Sequence, residues 1–234
     1  MTSQFVFGVD LDGVVADYTV GFAEIVAAMR GIDPASLPDE RSYDFREWGV
    51  SPDEFERYHA TAVTEHRMLA KLPAIEGAAE ALWRLSDAGV WIRVITHRLY
   101  VNWGHAEAVG DTVQWLDAVR IPYRDICFLG NKPEVEADCY VDDAPHNISA
   151  LRAGGNDVIV FDQPYNRDQA DPRARNWREV EQLVMDRFTE WRGAAGVQPQ
   201  LPGIDAGKDR LAERRSASGA APPPGEPGPP DRDG

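Results

Sequence analysis

The chain has 234 residues, 43% of them hydrophobic and 9% aromatic, enough apolar material for one sizeable globular core with or without a small second domain. Its 24 Lys and Arg stand against 39 Asp and Glu, a formal net charge of −15. That balance excludes a surface built to grip a nucleic-acid polymer, which needs clustered cations. It does not exclude a small phosphorylated ligand whose charge a metal offsets locally.

The first apolar run, "FVFGVD" (5–10), predicts a strand, and it drives straight into Asp10 and Asp12, with Gly13 next. No basic segment with a following apolar run precedes it, and no stretch is long enough to span a membrane. A cytoplasmic protein without membrane contact is expected. From 18 to 72 the pattern is helical and contains no strand. Phe22, Ile25, Val26 and Met29 form one apolar face. Ser51, Pro52 and Glu54 are a helix-start signal, with Ser51 as the cap. The segment also carries Tyr18, Tyr43, Phe45 and Trp48, whose rings suit either a substrate contact or the packing of the segment itself. His59 and His66 fall seven apart on one predicted helix and read as surface or satisfied core residues, not ligands.

Beyond 72 the chain alternates. Helical patterns occupy 73–89, 104–119, 146–155 and 176–191, the first stopping at Gly89 and the last carrying the stripe Val180, Leu183, Val184 and Phe188. Strand-like runs occupy 90–96, 126–130, 139–143 and 158–162 and are rich in Val and Ile, as strands covered on both faces are. Cys127 and Cys139 lie in two of these runs and read as buried free thiols of a reducing compartment. After Arg192 the composition turns to Gly, Ala and Pro, so 193–234 is expected to be disordered apart from a short helical pattern at 208–215. The predicted fold is therefore α/β: a Rossmann-like parallel sheet with helices on both faces. Residues 1–17 and 73–192 form the core, and 18–72 a small helical cap inserted after the first strand.

In an extended strand, residues i and i+2 face one side, so a strand running through 12 would project Asp10 and Asp12 together. Open parallel sheets bind ligands at the carboxyl ends of their strands. The other strand ends carry matching chemistry. Thr96, followed by His97 and Arg98, offers a hydroxyl and backbone N–H groups to a phosphate oxygen. Lys132 follows the run at 126–130 and is placed to neutralise a phosphoryl group. Asp142 and Asp143 end the next run and are hard oxygen ligands suited to Mg²⁺.

The set "DLDGVVAD", "VITHR" and "GNKPEVEADCYVDD" resembles the haloacid dehalogenase superfamily of phosphohydrolases. Within it, "DLDGVVADY", the helical insertion and "VDDAPHNI" are most similar to the 5′(3′)-deoxyribonucleotidases. The resemblance implies a Mg²⁺ cofactor and a phospho-aspartyl intermediate. It makes Asp10 the nucleophile, Asp12 the general acid/base, Thr96 and His97 phosphate contacts, and Lys132 a charge stabiliser. The metal would rest on the Asp10 carboxylate, the Asp12 carbonyl and the acidic pair, where Asp143 matches the usual ligand and Asp142 is direct or one step removed. Tyr18, Tyr43 and Trp48 become candidates to contact a small phosphorylated substrate, expected to be a nucleotide. "THR" departs from the Thr-Ser style pair of the nucleotidases, so a phosphatase of another small phosphomonoester, such as a sugar phosphate, stays as an alternative. A receiver-type module or a non-catalytic phosphate binder ranks lower, since the acids lie on the first strand and all the expected site residues are present.

Overall fold

The computed structural model describes residues 4–99 and 103–194. Six parallel strands form one sheet: β1 (Val6–Val9), β2 (Trp91–Thr96), β3 (Asp125–Phe128), β4 (Cys139–Asp142), β5 (Val158–Phe161) and β6 (Arg173–Ala174). Their spatial order is β3-β2-β1-β4-β5-β6. The chain thus begins at the centre, builds outward through β2 and β3, and returns to build the other way from β4. The strand order reverses at β1, and the crevice at the carboxyl ends of β1 and β4 is where such sheets take ligands.

The five predicted strands all form, each slightly shorter than its apolar run. β6 is an edge pair of residues with no apolar alternation to reveal it. Along the strands, successive side chains enter opposite layers. Phe7, Val9, Ile92, Val94, Val141 and Ile159 join the larger core, while Ile95, Tyr140, Val158 and Val160 join a second cluster with Ile148 and Leu151. Gly8, between them on β1, admits no side chain cheaply: a Cβ there would come within 2.8 Å of Ile95 and 2.9 Å of Tyr140. Helices α3 (Ala78–Ala88), α4 (His105–Ala118) and α6 (Trp177–Ala194) feed the larger core, and α5 (Pro145–Ala153) covers the smaller one.

Between β1 and β2 the described residues form helices joined by irregular loops, with no further strand of the sheet. There α1 (Tyr18–Arg30) precedes α2 (Pro52–Thr64), the latter where its start signal predicts it. Asp17 caps α1 by accepting from the Val20 N–H at 3.0 Å. The Ser51–Glu54 capping box closes in both directions, at 3.3 and 3.0 Å. Phe22, Phe45, Trp48 and Phe55 fill the space between the helices with edge and stacked ring contacts.

Three expectations change. Met29 is exposed rather than part of the α1 face. α2 ends at Thr64, so His66 lies past the helix and in solvent. Cys127 is half-buried because β3 is an edge strand, whereas Cys139 on β4 is buried; both thiols are free. α6 continues to Ala194, and the rest of the expected tail, with its helical pattern at 208–215, lies outside the described residues. No helix among the described residues is long and apolar enough to cross a membrane.

Candidate active site

β1 stops at Val9, Asp10 still donates its N–H to the Val141 carbonyl at 3.2 Å, and the chain turns at 13–15, just after Asp12. The Leu11 carbonyl accepts from the N–H groups of Val14, Val15 and Ala16, and Gly13 adopts φ 86°. A side chain at Gly13 would overlap the Asp143 carboxylate and sit 2.9 Å from the Tyr165 hydroxyl, so glycine is required on conformational and steric grounds. Asp10 and Asp12 flank the buried Leu11 at the end of β1. They leave a tight loop toward different partners, and both reach the same cavity.

Asp10 faces Lys132. The Lys132 ammonium donates to Asp10 Oδ1 and to Asp142 Oδ2, each at 2.6 Å, with only 2% of its surface exposed. Burial alone pushes against the ammonium, but the two carboxylates outweigh it and hold its pKa above the ordinary lysine value. Burial raises Asp10 to about 7 despite Lys132, and the charges of Asp142 and Asp12 add to the rise. Asp143 lies well above the carboxylate range for the same first reason, with Asp10 and Asp142 reinforcing it. Its Oδ2 accepts from the Tyr165 hydroxyl, and Asn166 donates to its carbonyl at 2.7 Å.

Asp10, Asp142 and Asp143 each place a carboxylate oxygen within 4.8 Å of the others, and all three are buried. Three hard oxygen donors pressed together, two with raised proton affinity, fit a divalent cation such as Mg²⁺. No histidine belongs to the group. Asp142 is already satisfied: besides Lys132 it accepts from the Ala144 N–H at 3.0 Å and from Asn147 at 3.2 Å.

Asp12 stands apart from this group. Both of its oxygens pair with Arg98, Nε to Oδ2 at 3.0 Å and Nη2 to Oδ1 at 2.6 Å. Thr96 ends β2 with its side chain buried, and its Oγ1 accepts from the Arg98 backbone N–H at a long 3.4 Å. His97 lines the cavity; burial, then the Lys132 charge, lower its pKa to about 4.

The cavity measures about 360 Å³. Asp10, Asp12, Gly13 and Asp143 form its acidic end, with Asn147 and Arg98 beside them. Tyr18, Phe45, Phe55 and His59 from the helical segment give an aromatic wall, and Arg41, Tyr43 and Tyr165 complete it. Thr96 and Lys132 do not line this wall. Tyr43 is 47% exposed and meets Tyr165 and His146 edge-on.

Trp48 is a correction. It is 5% exposed, its indole N–H donates to the Pro38 carbonyl at 2.9 Å, and it packs on Phe22 and Phe45 away from the cavity lining. His59 is the reverse case: it stands on the wall, 3.4 Å from the Tyr18 hydroxyl and against Phe55 and Trp103. Sequence reasoning missed Arg41 and Tyr165, which come from loops without periodicity. Arg41 is buried, with its guanidinium 4.0 Å over the Phe45 ring and 4.3 Å over Tyr165, and Nη2 donating to Thr19 at 2.6 Å. The side chain of Arg98 was missed as well, although "THR" placed it next to the phosphate loop.

The family described as "5' nucleotidase, deoxy (Pyrimidine), cytosolic type C protein" matches residues 4–188. A putative 5'(3')-deoxyribonucleotidase from Chlorobaculum tepidum is 41% identical over 185 residues, covering 78% of this chain and 91% of that protein. The 5'(3')-deoxyribonucleotidase of Bacillus subtilis is 24% identical over 183 residues, covering 77% and 98%. Among solved structures, a haloacid dehalogenase-like family hydrolase from Streptococcus pneumoniae superposes with a TM-score of 0.54 at 14% identity, covering 79% of this chain and 100% of its own. A putative beta-phosphoglucomutase from Thermotoga maritima gives 0.51 at 14% identity, covering 78% and 99%. These two establish likeness of fold alone. With a match across nearly all the described residues and a relative at 41% identity, the chain belongs to the deoxy (pyrimidine) cytosolic type C 5'-nucleotidase family and is a phosphoric monoester hydrolase.

Proposed function

We propose that this hydrolase is Mg²⁺-dependent, removes phosphate from a (deoxy)nucleoside monophosphate, and works through an aspartyl-phosphate on Asp10. The observation that carries the reading is the buried Lys132 bridge between Asp10 and Asp142 at the switch point of the sheet. A carboxylate nucleophile repels a phosphate dianion, and Lys132 offsets that repulsion from within hydrogen-bond distance. When bound, the Mg²⁺ supplies further positive charge to the phosphoryl oxygens. Asp10 and Asp143 are the carboxylates that would hold it, with the Asp12 carbonyl from the family resemblance. Asp142, its oxygens already taken by Lys132, Ala144 and Asn147, orients Lys132 instead.

Asp10 attacks phosphorus as the P–O bond to the leaving alkoxide breaks, and Asp12 gives that alkoxide a proton. Asp12 then takes a proton from water, which attacks the aspartyl-phosphate, returning Asp10 and releasing inorganic phosphate. Thr96 and the N–H groups after it would anchor phosphoryl oxygens beside His97. Residues 18–72 act as a cap over the core of 1–17 and 73–192, excluding bulk water and reading the leaving group. The relatives' names and the family description point to a deoxynucleotide with a pyrimidine base, and the Tyr18–Phe45–Phe55 wall supports this by offering rings for stacking. The two free thiols support a reducing, cytoplasmic setting.

The test is a rate panel of deoxynucleoside monophosphates, ribonucleotides and sugar phosphates, each with Mg²⁺ and with EDTA. The reading requires Mg²⁺-dependent turnover that is fastest on deoxynucleotides. Equal rates on sugar phosphates would leave a general phosphatase, and full activity in EDTA would remove the metal from the account.

A further inference from the structure

The least economical feature of the site is the way Arg98 is used. Its side chain is 2% exposed, whereas that of its partner Asp12 is 30% exposed and faces the cavity. Burying a guanidinium is costly unless each donor is matched. Here each of the three nitrogens has an acceptor. Nε and Nη2 fork onto the two Asp12 oxygens, at 3.0 and 2.6 Å. Nη1 donates to Thr112 Oγ1 on α4 at 3.0 Å, and that hydroxyl in turn donates to the Ala108 carbonyl at 2.6 Å. The Trp115 ring lies 5.7 Å from the guanidinium carbon. The arginine is held from the α4 side, and its fork is turned onto the Asp12 carboxylate.

We propose that Arg98 is the positioning residue of Asp12, fixing the carboxylate's orientation for the two proton transfers in which it takes part. The inference rests on the aspartyl-phosphate reading above and adds a residue to it. An aspartate at a cavity wall has several rotamers open to it. A planar fork that meets both oxygens selects one of them and sets the plane of the carboxylate. Lysine cannot do this, since a single ammonium does not define that plane. The arrangement also explains why the residue two positions after Thr96 is large and charged: it crosses from the β2 loop to the β1 loop, 86 residues away in sequence.

The two steps make different demands, which gives the test its shape. p-Nitrophenolate leaves without a proton, so phosphorylation of Asp10 by p-nitrophenyl phosphate does not need Asp12. In hydrolysis, water loses a proton to Asp12, its oxygen bonds to phosphorus, the P–O bond to Asp10 breaks, and the electron pair returns to that carboxylate. Loss of orientation therefore slows the second step selectively with this substrate. With a nucleotide it slows both.

The experiment is rapid-quench kinetics of the full chain with Mg²⁺, comparing parent and Arg98→Gln. The release of p-nitrophenol gives the formation rate, and the loss of trapped phosphoprotein after dilution gives the decay rate. We expect formation within about twofold of the parent and decay slower by about a hundredfold, the scale of a misplaced catalytic group. On a nucleotide the formation rate should fall as well. Equal losses in formation and decay with p-nitrophenyl phosphate, or parent-like decay, would overturn the assignment and leave Arg98 a packing residue. Should Arg98→Gln fail to fold, Thr112→Val removes one anchor and keeps the charge. Its decay should slow by up to about tenfold, the scale of one hydrogen bond, and an unchanged decay would overturn the proposal. A parent enzyme that never traps phosphoprotein would instead bring down the aspartyl-phosphate reading itself, and this proposal with it.

Discussion

Removing Lys132 asks what the buried bridge contributes when no substrate is present. In Lys132→Met the volume is roughly kept and the charge is lost. The parent ammonium is 2% exposed and holds two carboxylates whose side chains are 9% and 1% exposed, each at 2.6 Å. Breaking a buried ion pair by deleting one partner costs about 3–5 kcal/mol, because the other charge stays buried and unmatched. One ammonium serves both acids, so the two losses are not summed. For a folded part of this size, each kcal/mol moves the melting temperature by about 2–4 °C, giving an expected fall of about 6–20 °C in EDTA.

The effect depends on pH, and its sign is set by Asp10. Its folded pKa is already raised to about 7 by burial, with Asp142 and Asp12 contributing. A carboxyl raised in the fold stabilises below its unfolded value, and that contribution is lost as pH rises through the folded value. Without Lys132 the protonated form is the only escape left, so the deficit should be larger near pH 8.5 than near pH 5.5. The assay is thermal unfolding of both proteins at the two pH values in EDTA. A variant melting within about 2 °C of the parent near pH 8.5 would refute the claim that Lys132 offsets a strained acidic cluster.

Metal removal should show the same cluster from the other side: in EDTA the parent should lose stability as pH rises through about 7, where Asp10 ionises, and Mg²⁺ should raise the melting temperature more near pH 8.5 than near pH 5.5. A Mg²⁺ effect independent of pH would contradict the carboxylate site. Gly13→Ala places a side chain at φ 86° against Asp143 and Tyr165, so it should fold with a loss of at least about 1–2 kcal/mol and weaken Mg²⁺ binding measured by calorimetry; unchanged affinity would show that Asp143 is not a ligand. Tyr18→Ala should lower kcat/KM on a deoxynucleotide by about one to two decades, the worth of one stacked base, while sparing p-nitrophenyl phosphate. Trp48→Ala should instead cost about 3–5 kcal/mol of stability and reduce both substrates alike, since its ring packs on Phe22 and Phe45. A nucleotide-selective loss in the tryptophan variant would put its ring back on the cavity.

The legible part of this molecule was what repeats or what stands at a strand end. Short apolar runs announced β1 to β5, including the half-buried edge strand β3, and a Ser-Pro-Asp-Glu start announced α2. Asp10, Thr96, Lys132 and the Asp142–Asp143 pair stood out because each closes an apolar run or follows one by a residue or two. What stayed hidden depends on contacts between loops. The alternation through Asp12 gave no sign that the carbonyl of buried Leu11 would take three N–H groups and close the turn at 13–15. Nothing in "DERSYDFREW" separates Tyr43 and Phe45, which reach the cavity, from Trp48, which does not. The difference is made by Phe45 in a left-handed conformation at φ 59° and by the Trp48 hydrogen bond to Pro38. Arg41 and Tyr165 lie 124 positions apart (165 − 41) and meet face to cation only after the sheet is built.

The central claim is that Asp10 carries phosphate during turnover. It is tested most directly by quenching the Mg²⁺-loaded protein within a single turnover of a deoxynucleotide and locating the trapped phosphate by mass spectrometry. The account predicts label on the peptide containing Asp10, on that residue, and none on a folded Asp10→Asn protein, which should also show no turnover. Phosphate on another residue, or hydrolysis by Asp10→Asn at the parent rate, would contradict it.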